Sequence, residues 1–148
     1  MVKCELDKTH KMGSICACFN LRRATRRVSQ AYDQALKPLG LKITQVSLLV
    51  AAHVVDRIVL TKLAAVMGMD RTTLSRNLRV LEKRGLVRME PGEDRREVMV
   101  SLTGEGQDIL EKAVPLWEET QERVTAILGE ERYGVLLKEL KDLSKALR

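Results

Sequence analysis

Apolar residues recur at spacings of three and four over most of this chain, and between residues 87 and 102 the rhythm changes to strict alternation. Ile15, Phe19, Val28, Tyr32, Ala35 and Leu36 form a stripe that predicts a helix over 14–37, stopped by Pro38 and Gly40. The next segment, 44–54, is apolar on most sides, as expected of an element buried between others. Leu63, Ala64 and Met67 predict a short helix capped by Thr61 and ended by Gly68. Asp70 then caps a helix to about Arg84 whose inner side is Met69, Leu74, Leu78 and Leu81, and Gly85 can end it in the left-handed region. Val87, Met89, Val98, Val100 and Leu102 alternate with Arg88, Glu90, Glu97 and Ser101, which predicts a β-hairpin; Ile58, Val59 and Leu60 can add a third strand.

After Thr103 the helical rhythm returns. Ile109, Leu110, Ala113, Leu116, Trp117, Val124, Ile127 and Leu128 predict a long helix to Gly129, with Glu105 in its first turn and a kink expected at Pro115. A last helix from Glu130 carries Tyr133, Leu136, Leu137, Leu140, Leu143 and Leu147, more leucine than docking one terminal helix requires, which predicts a helical dimer interface.

A small Ala64, Gly68 four residues on and Leu74 six beyond that are what two helices crossing at a tight turn require, so 61–84 reads as a helix-turn-helix. The outer side of its second helix holds Arg71, Thr72, Thr73, Ser75, Arg76 and Arg79, with no carboxylate between Arg71 and Val80. Such a face suits the major groove, where arginine pairs with guanine edges and hydroxyls contact bases or phosphates. The hairpin tip, Pro91-Gly92-Glu93-Asp94-Arg95-Arg96, offers two guanidinium groups to a neighbouring minor groove.

The helix-turn-helix, the segment Leu81-Glu82-Lys83-Arg84-Gly85-Leu86-Val87 and the wing Asp94-Arg95-Arg96 leading to Val100-Ser101-Leu102-Thr103 together resemble the MarR (multiple antibiotic resistance regulator) family over nearly the whole chain. The resemblance implies a mainly α fold with a small β-wing (α+β), a winged helix-turn-helix plus long dimerisation helices. On that reading 1–148 is a single domain, 44–102 the DNA-binding part, and 14–37 with 103–148 the helical dimerisation part, its first and last two helices intertwined across a two-fold axis. The expected function is a homodimeric, sequence-specific double-stranded DNA-binding transcription regulator, a repressor of an inverted-repeat operator. Thr72, Thr73, Ser75 and Arg76 face bases, Lys62, Arg71 and Arg79 meet phosphates, Arg95 or Arg96 enters the minor groove, and Asp94 orients a wing arginine through an ion pair. Release comes from a small anionic or phenolic ligand wedged between the dimerisation helices and the winged part, or from cysteine oxidation. The alternative is a winged-helix protein-interaction module with no DNA target.

Charge and composition narrow these readings. Lys and Arg number 26 against 20 Asp and Glu, and a net charge of +6 favours a polyanionic partner. Aromatic residues at 3% argue against single-strand binding by base stacking. The charged N-terminus has no signal-peptide core and no apolar run approaches the ~20 residues that cross a bilayer, so a cytoplasmic protein with no membrane partner is expected. Enzymatic function, a cofactor and a metal are not expected: there is no Ser-His-Asp order or phosphate loop, and Cys4, His10, Cys16 and Cys18 fit no standard zinc spacing.

Cys16 and Cys18 fall in the first turn of the predicted first helix, where the helix dipole and Arg22 one turn beyond attract negative charge. They are candidate redox sensors, with inert buried thiols as the other reading. Two helical residues that far apart point roughly 200° away from each other, so a mutual disulfide is not expected. The Cys18-Phe19 pair is similar to the reactive-cysteine segment of the family's organic-hydroperoxide branch, but that branch carries thiolate-holding tyrosines where Asn20, Leu21 and Arg22 follow here. Arg22, Arg23, Arg26 and Arg27 read as a solvated face with aliphatic stems on apolar neighbours, or else as an anion-steering cluster.

Overall fold

The computed structural model describes residues 9, 11–94 and 96–147. In chain order the elements are α1 (Ala17–Leu36), a 3-10 turn (Lys37–Leu39), α2 (Ile43–Val54), β1 (Arg57–Val59), α3 (Leu60–Met67), α4 (Arg71–Lys83), β2 (Val87–Pro91), β3 (Val98–Leu102) and two terminal helices, α5 (Gly104–Leu128) and α6 (Glu130–Ala146). The three strands form an antiparallel sheet in the order β1-β3-β2. Met89 lies opposite Val100 and Ile58 lies opposite Val100 on the other edge, so the alternating apolar positions share a face.

That face and the inner sides of α2, α3 and α4 close over one core. Leu36, Leu49, Leu63, Leu74, Leu78, Leu81 and Val100 are fully buried in it. Leu74, Leu78 and Leu81 come from α4 alone, at i, i+4 and i+7, and burying each stabilises the fold by roughly 1.5–3 kcal/mol. Gly68 at φ +61 ends α3, and Gly85 at φ +71 ends α4, both in the left-handed region where a Cβ is disfavoured.

Two local expectations are corrected. Thr61 does not cap α3: the helix begins one residue earlier at Leu60, follows Val59 directly and has no side-chain cap. Strand β1 reaches it without a loop, so the Val59 to Leu60 step is where extended chain turns into helix. The first helix does not run from residue 14; helical residues 11–15 are separated from α1 by Cys16, whose φ −66 and ψ 115 are extended. The roughly 200° separation of two helical cysteines therefore does not apply, because Cys16 is not a helical residue. Pro115 lies inside α5, the interior position at which the kink is expected.

The start of α5 is locked onto the end of α4. Thr103 Oγ1 accepts from the Gly106 amide at 2.9 Å and donates to Gly85 O at 2.5 Å, while the Thr103 amide donates to Leu86 O at 3.2 Å. The backbones are so close here that a Cβ on Gly106 would stand 2.0 Å from Leu86 O, whereas one on Gly104 would meet nothing within 4 Å. Gly106→Ala is therefore expected to lower unfolding free energy in urea by about 1–3 kcal/mol, through overpacking against backbone that cannot yield, and Gly104→Ala to raise it by about 0.4–1 kcal/mol. Equal effects of the two substitutions would contradict the close approach.

Candidate nucleic-acid interface

The cap of α4 determines how its outer face is presented. Asp70 stands in extended conformation at the N-cap; its Oδ1 accepts the Thr73 amide at 2.8 Å and its Oδ2 the Thr73 hydroxyl at 2.6 Å. Hydrogen bonding from Thr73, first by its side chain and then by its backbone, holds the Asp70 carboxyl below the usual carboxylate range. The one acidic group beside this helix start is thus turned onto its own amides.

With the leucines inward and the cap closed, Arg71, Thr72, Ser75, Arg76 and Arg79 line a shallow open cleft along the outer side of α4. Among the described residues the ion pairs are Arg88–Glu90 and Lys138–Asp142, so none of the three guanidinium groups in the cleft is neutralised by a carboxylate. The structure brings five of the predicted contact residues together here. Thr73 is not in the cleft, since its hydroxyl serves the cap, and Lys62 is exposed on α3, outside it.

The wing is a tight loop between β2 and β3. Gly92 N donates to Glu97 O at 2.9 Å, Glu97 N to Asp94 O at 2.8 Å, and the Asp94 carboxylate accepts the Arg96 amide at 2.9 Å. Asp94 therefore organises the tip through backbone, and no ion pair of Asp94 occurs among the described residues. Arg96 is exposed; Arg95 lies outside the described residues, as do Cys4 and His10. Cys18 is exposed and Cys16 half-buried, so the reading of two buried, inert thiols does not describe Cys18. No group of three metal-ligating side chains occurs among the described residues.

Three features carry no sequence signal. Arg84, the C-cap of α4, donates from Nη1 to Gly40 O at 2.8 Å and from Nη2 to Leu39 O at 3.2 Å. Tyr32 OH donates to Gln121 Oε1 at 2.5 Å, and Gln121 Nε2 reaches Tyr133 OH at 2.8 Å, tying α1, α5 and α6 together; burial, then the neighbouring Tyr133, pushes the Tyr32 phenol up. Between α2 and α5 lies a cleft of about 440 Å³ lined by Val46, Ser47, Val50, Leu110, Val114 and Trp117 among others. The periodic patterns locate the elements, but each of these contacts joins segments distant in sequence.

A helix-turn-helix with a basic outer face, followed by a β-wing, defines a winged helix-turn-helix protein. The MarR family profile matches residues 41–98. The chain is 43% identical to the Mycobacterium tuberculosis transcriptional regulator MosR, crystallised in complex with DNA, over 90% of this chain and 98% of that one, with a TM-score of 0.80. It is 27% identical to CouR, a transcriptional repressor bound to a 23-mer DNA duplex, over 90% of this chain and 95% of that one, with a TM-score of 0.81. An organic hydroperoxide resistance transcriptional regulator of Bacillus subtilis is 30% identical over 100 residues, 67% of this chain and 68% of the relative. The chain belongs to the MarR family.

The cap has a pH signature. Because the folded-state pKa of Asp70 is depressed, its contribution to stability is present above the ordinary carboxylate pKa near 4 and is lost as pH falls through the folded value. Asp70→Asn keeps an acceptor for the Thr73 amide but cannot titrate. Thermal midpoints below about pH 4 should fall less steeply in this variant than in the parent, and parallel acid limbs would contradict the assignment.

Proposed function

We propose that this chain is a homodimeric, sequence-specific reader of double-stranded DNA that represses transcription from an inverted-repeat operator in the cytoplasm. The observation that carries the proposal is the outer face of α4: three unneutralised guanidinium groups and two hydroxyls on a helix held from behind by three buried leucines. Thr72, Ser75 and Arg76 face base edges, Lys62, Arg71 and Arg79 meet phosphates, and Arg96, with Arg95 by its place in the sequence, enters the minor groove. Thr73 supports the face through the cap. The DNA-bound MosR and the DNA-bound repressor CouR support this reading.

A second copy is the proposed cover for the terminal helices. Helix α6 buries none of its 17 residues, and Val135, Leu136, Leu137, Leu143 and Leu147 are exposed on it and at its end. Ile15 and Phe19 are exposed at the other end of the chain. Apolar faces of this extent on a folded chain mark an association surface, and a two-fold dimer sets two α4 helices one DNA turn, roughly 34 Å, apart.

Release has two proposed routes. The cleft between α2 and α5 has the size of a small-ligand site, and among the described residues no cation lines it. Its Ser47 hydroxyl already donates to Ile43 O, leaving lone pairs free to accept, so a neutral phenol fits better than an anion. The exposed Cys18 is the candidate for oxidation, supported by the name of the B. subtilis relative.

Arg76→Ala should cost ~1–3 kcal/mol on the cognate operator and little on random DNA, whereas Lys62→Ala should weaken both and reduce the salt slope by about 1. Fluorescence anisotropy on the two DNAs reads this, and equal losses for Arg76→Ala would remove it from the base-reading set. If the parent prefers no sequence, the interaction-module alternative takes over. In the same assay a neutral phenol should release the operator while changing the emission of Trp117, the only tryptophan. Peroxide should release it reversibly in the parent and not in Cys18→Ser. A phenol that releases DNA without touching Trp117 emission would place the ligand elsewhere, and a peroxide response retained in Cys18→Ser would do the same for the thiol.

A further inference from the structure

Arg84 bridges two parts of the molecule that the chain separates by 44 residues. It stands at the C-cap of α4, and its guanidinium fork spans two successive carbonyls, Leu39 O and Gly40 O, at the corner between α1 and α2. These carbonyls follow the last turn of α1, where Gly40 N closes onto Lys37 O and Leu41 N onto Leu36 O. Carbonyls at a helix end carry partial negative charge, so a cation there makes charge-assisted hydrogen bonds of better than average strength. At the corner Gly40 is at φ +61, in the left-handed region that disfavours a Cβ.

The same corner is held from its other side. Asp33, on the last turns of α1, accepts the Ile43 amide at 2.7 Å and so caps α2, while the adjacent Tyr32 joins the Gln121 and Tyr133 network of α5 and α6. Consecutive residues of α1 therefore grip the terminal helices and the winged unit, and Arg84 extends that grip to α4. The path from the terminal helices to the DNA-reading helix runs through the corner without passing through a flexible loop.

We infer that Arg84 is a positioning residue that sets the half-site spacing the protein accepts, by fixing the angle between α4 and α1. The inference rests on the dimeric DNA reader proposed above. In such a dimer α1 belongs to the part that joins the two copies, so the α1–α4 angle determines how far apart and at what rotation the two α4 helices stand. One added base pair moves a half-site by about 3.4 Å and rotates it by roughly 34°. A stiff clamp makes that mismatch costly, and a loosened one lets α4 follow the DNA. Arginine suits this place because its rigid planar fork presents one donor to each carbonyl at a fixed separation, whereas the lysine ammonium is a compact charge on a flexible stem.

The test is a spacer series. An operator is selected with the parent protein from a randomised duplex library, and versions with one or two base pairs inserted or deleted between half-sites are titrated with the full-length parent, Arg84→Ala and Arg84→Lys. The parent should lose about tenfold or more in affinity per base pair of displacement, and both variants less than about threefold, with the base preference inside each half-site unchanged. Lysine keeps the charge, so Arg84→Lys carries the test if Arg84→Ala does not fold. Variant profiles as steep as the parent's overturn the inference while leaving the DNA reader intact. A uniform loss across all spacers with a smaller salt slope also overturns it, by making Arg84 a phosphate contact. A parent that binds without any spacer optimum overturns the dimeric reader, and the inference with it.

Discussion

The packing of Leu74, Leu78 and Leu81 beneath α4 is the interaction on which the rest depends. A helix of 13 residues is near the length at which isolated helices are marginal in water, and this one devotes its outer side to charged and hydroxyl groups that lie outside the core. The three buried leucines supply the stabilisation that lets the outer side be chosen for another purpose. They also set the rotation of α4 about its axis, so that Arg71, Thr72, Ser75, Arg76 and Arg79 emerge together. Moving the leucines by one position would turn that face by about 100°.

Around this helix the structure closes both ends with short-range chemistry and both sides with long-range contacts. Asp70 and Gly85 fix where α4 begins and ends. Glu82 accepts the Met89 amide at 3.1 Å, joining α4 to the first strand of the wing, and Arg84 joins it to the α1–α2 corner. The wing and the helix are thus tied by a carboxylate at the last turn of α4 as well as by the turn between them, where Gly85 N donates to Glu82 O and Leu86 N to Leu81 O. A basic surface confers affinity for any nucleic acid, whereas specificity requires that the donors keep fixed mutual positions.

What was legible in the sequence follows from the range of the physics. Gly68, Asp70 and Gly85 act on their own neighbours, and Leu74, Leu78 and Leu81 repeat within one helix, so local pattern finds them. The hairpin shows itself in the change of period and in Pro91-Gly92. The hydroxyl of Thr61 beside a helical stripe resembles a cap whether or not the preceding strand leaves room for one; here Val59 runs straight into Leu60. The break at Cys16 leaves no trace in the pattern, because Ile15 and Phe19 keep a helical spacing across a residue whose backbone is extended. Arg84 was readable only as part of a basic segment, since its partners are backbone carbonyls, which have no residue identity. Thr73 carries a hydroxyl suited to a base contact, but in the fold that hydroxyl is engaged by Asp70.

The arrangement also constrains how an effector can act. The apolar cleft between α2 and α5 does not touch α4, so a ligand there changes DNA binding only if it fits one arrangement of α2 against α5 better than another. A tenfold change in operator affinity requires about 1.4 kcal/mol of such difference, which one or two buried methylene groups or a single well-made hydrogen bond can supply. Helix α2 can pass that difference on because its first amide is held by Asp33 of α1 and its Leu48, Leu49 and Ala52 are buried in the core shared with α4. A packed core of this kind transmits displacement instead of absorbing it. On the proposed ligand route the buried face of α2 would carry a functional constraint as well as a stabilising one: residues that touch neither DNA nor ligand would determine how much of a ligand's preference reaches α4.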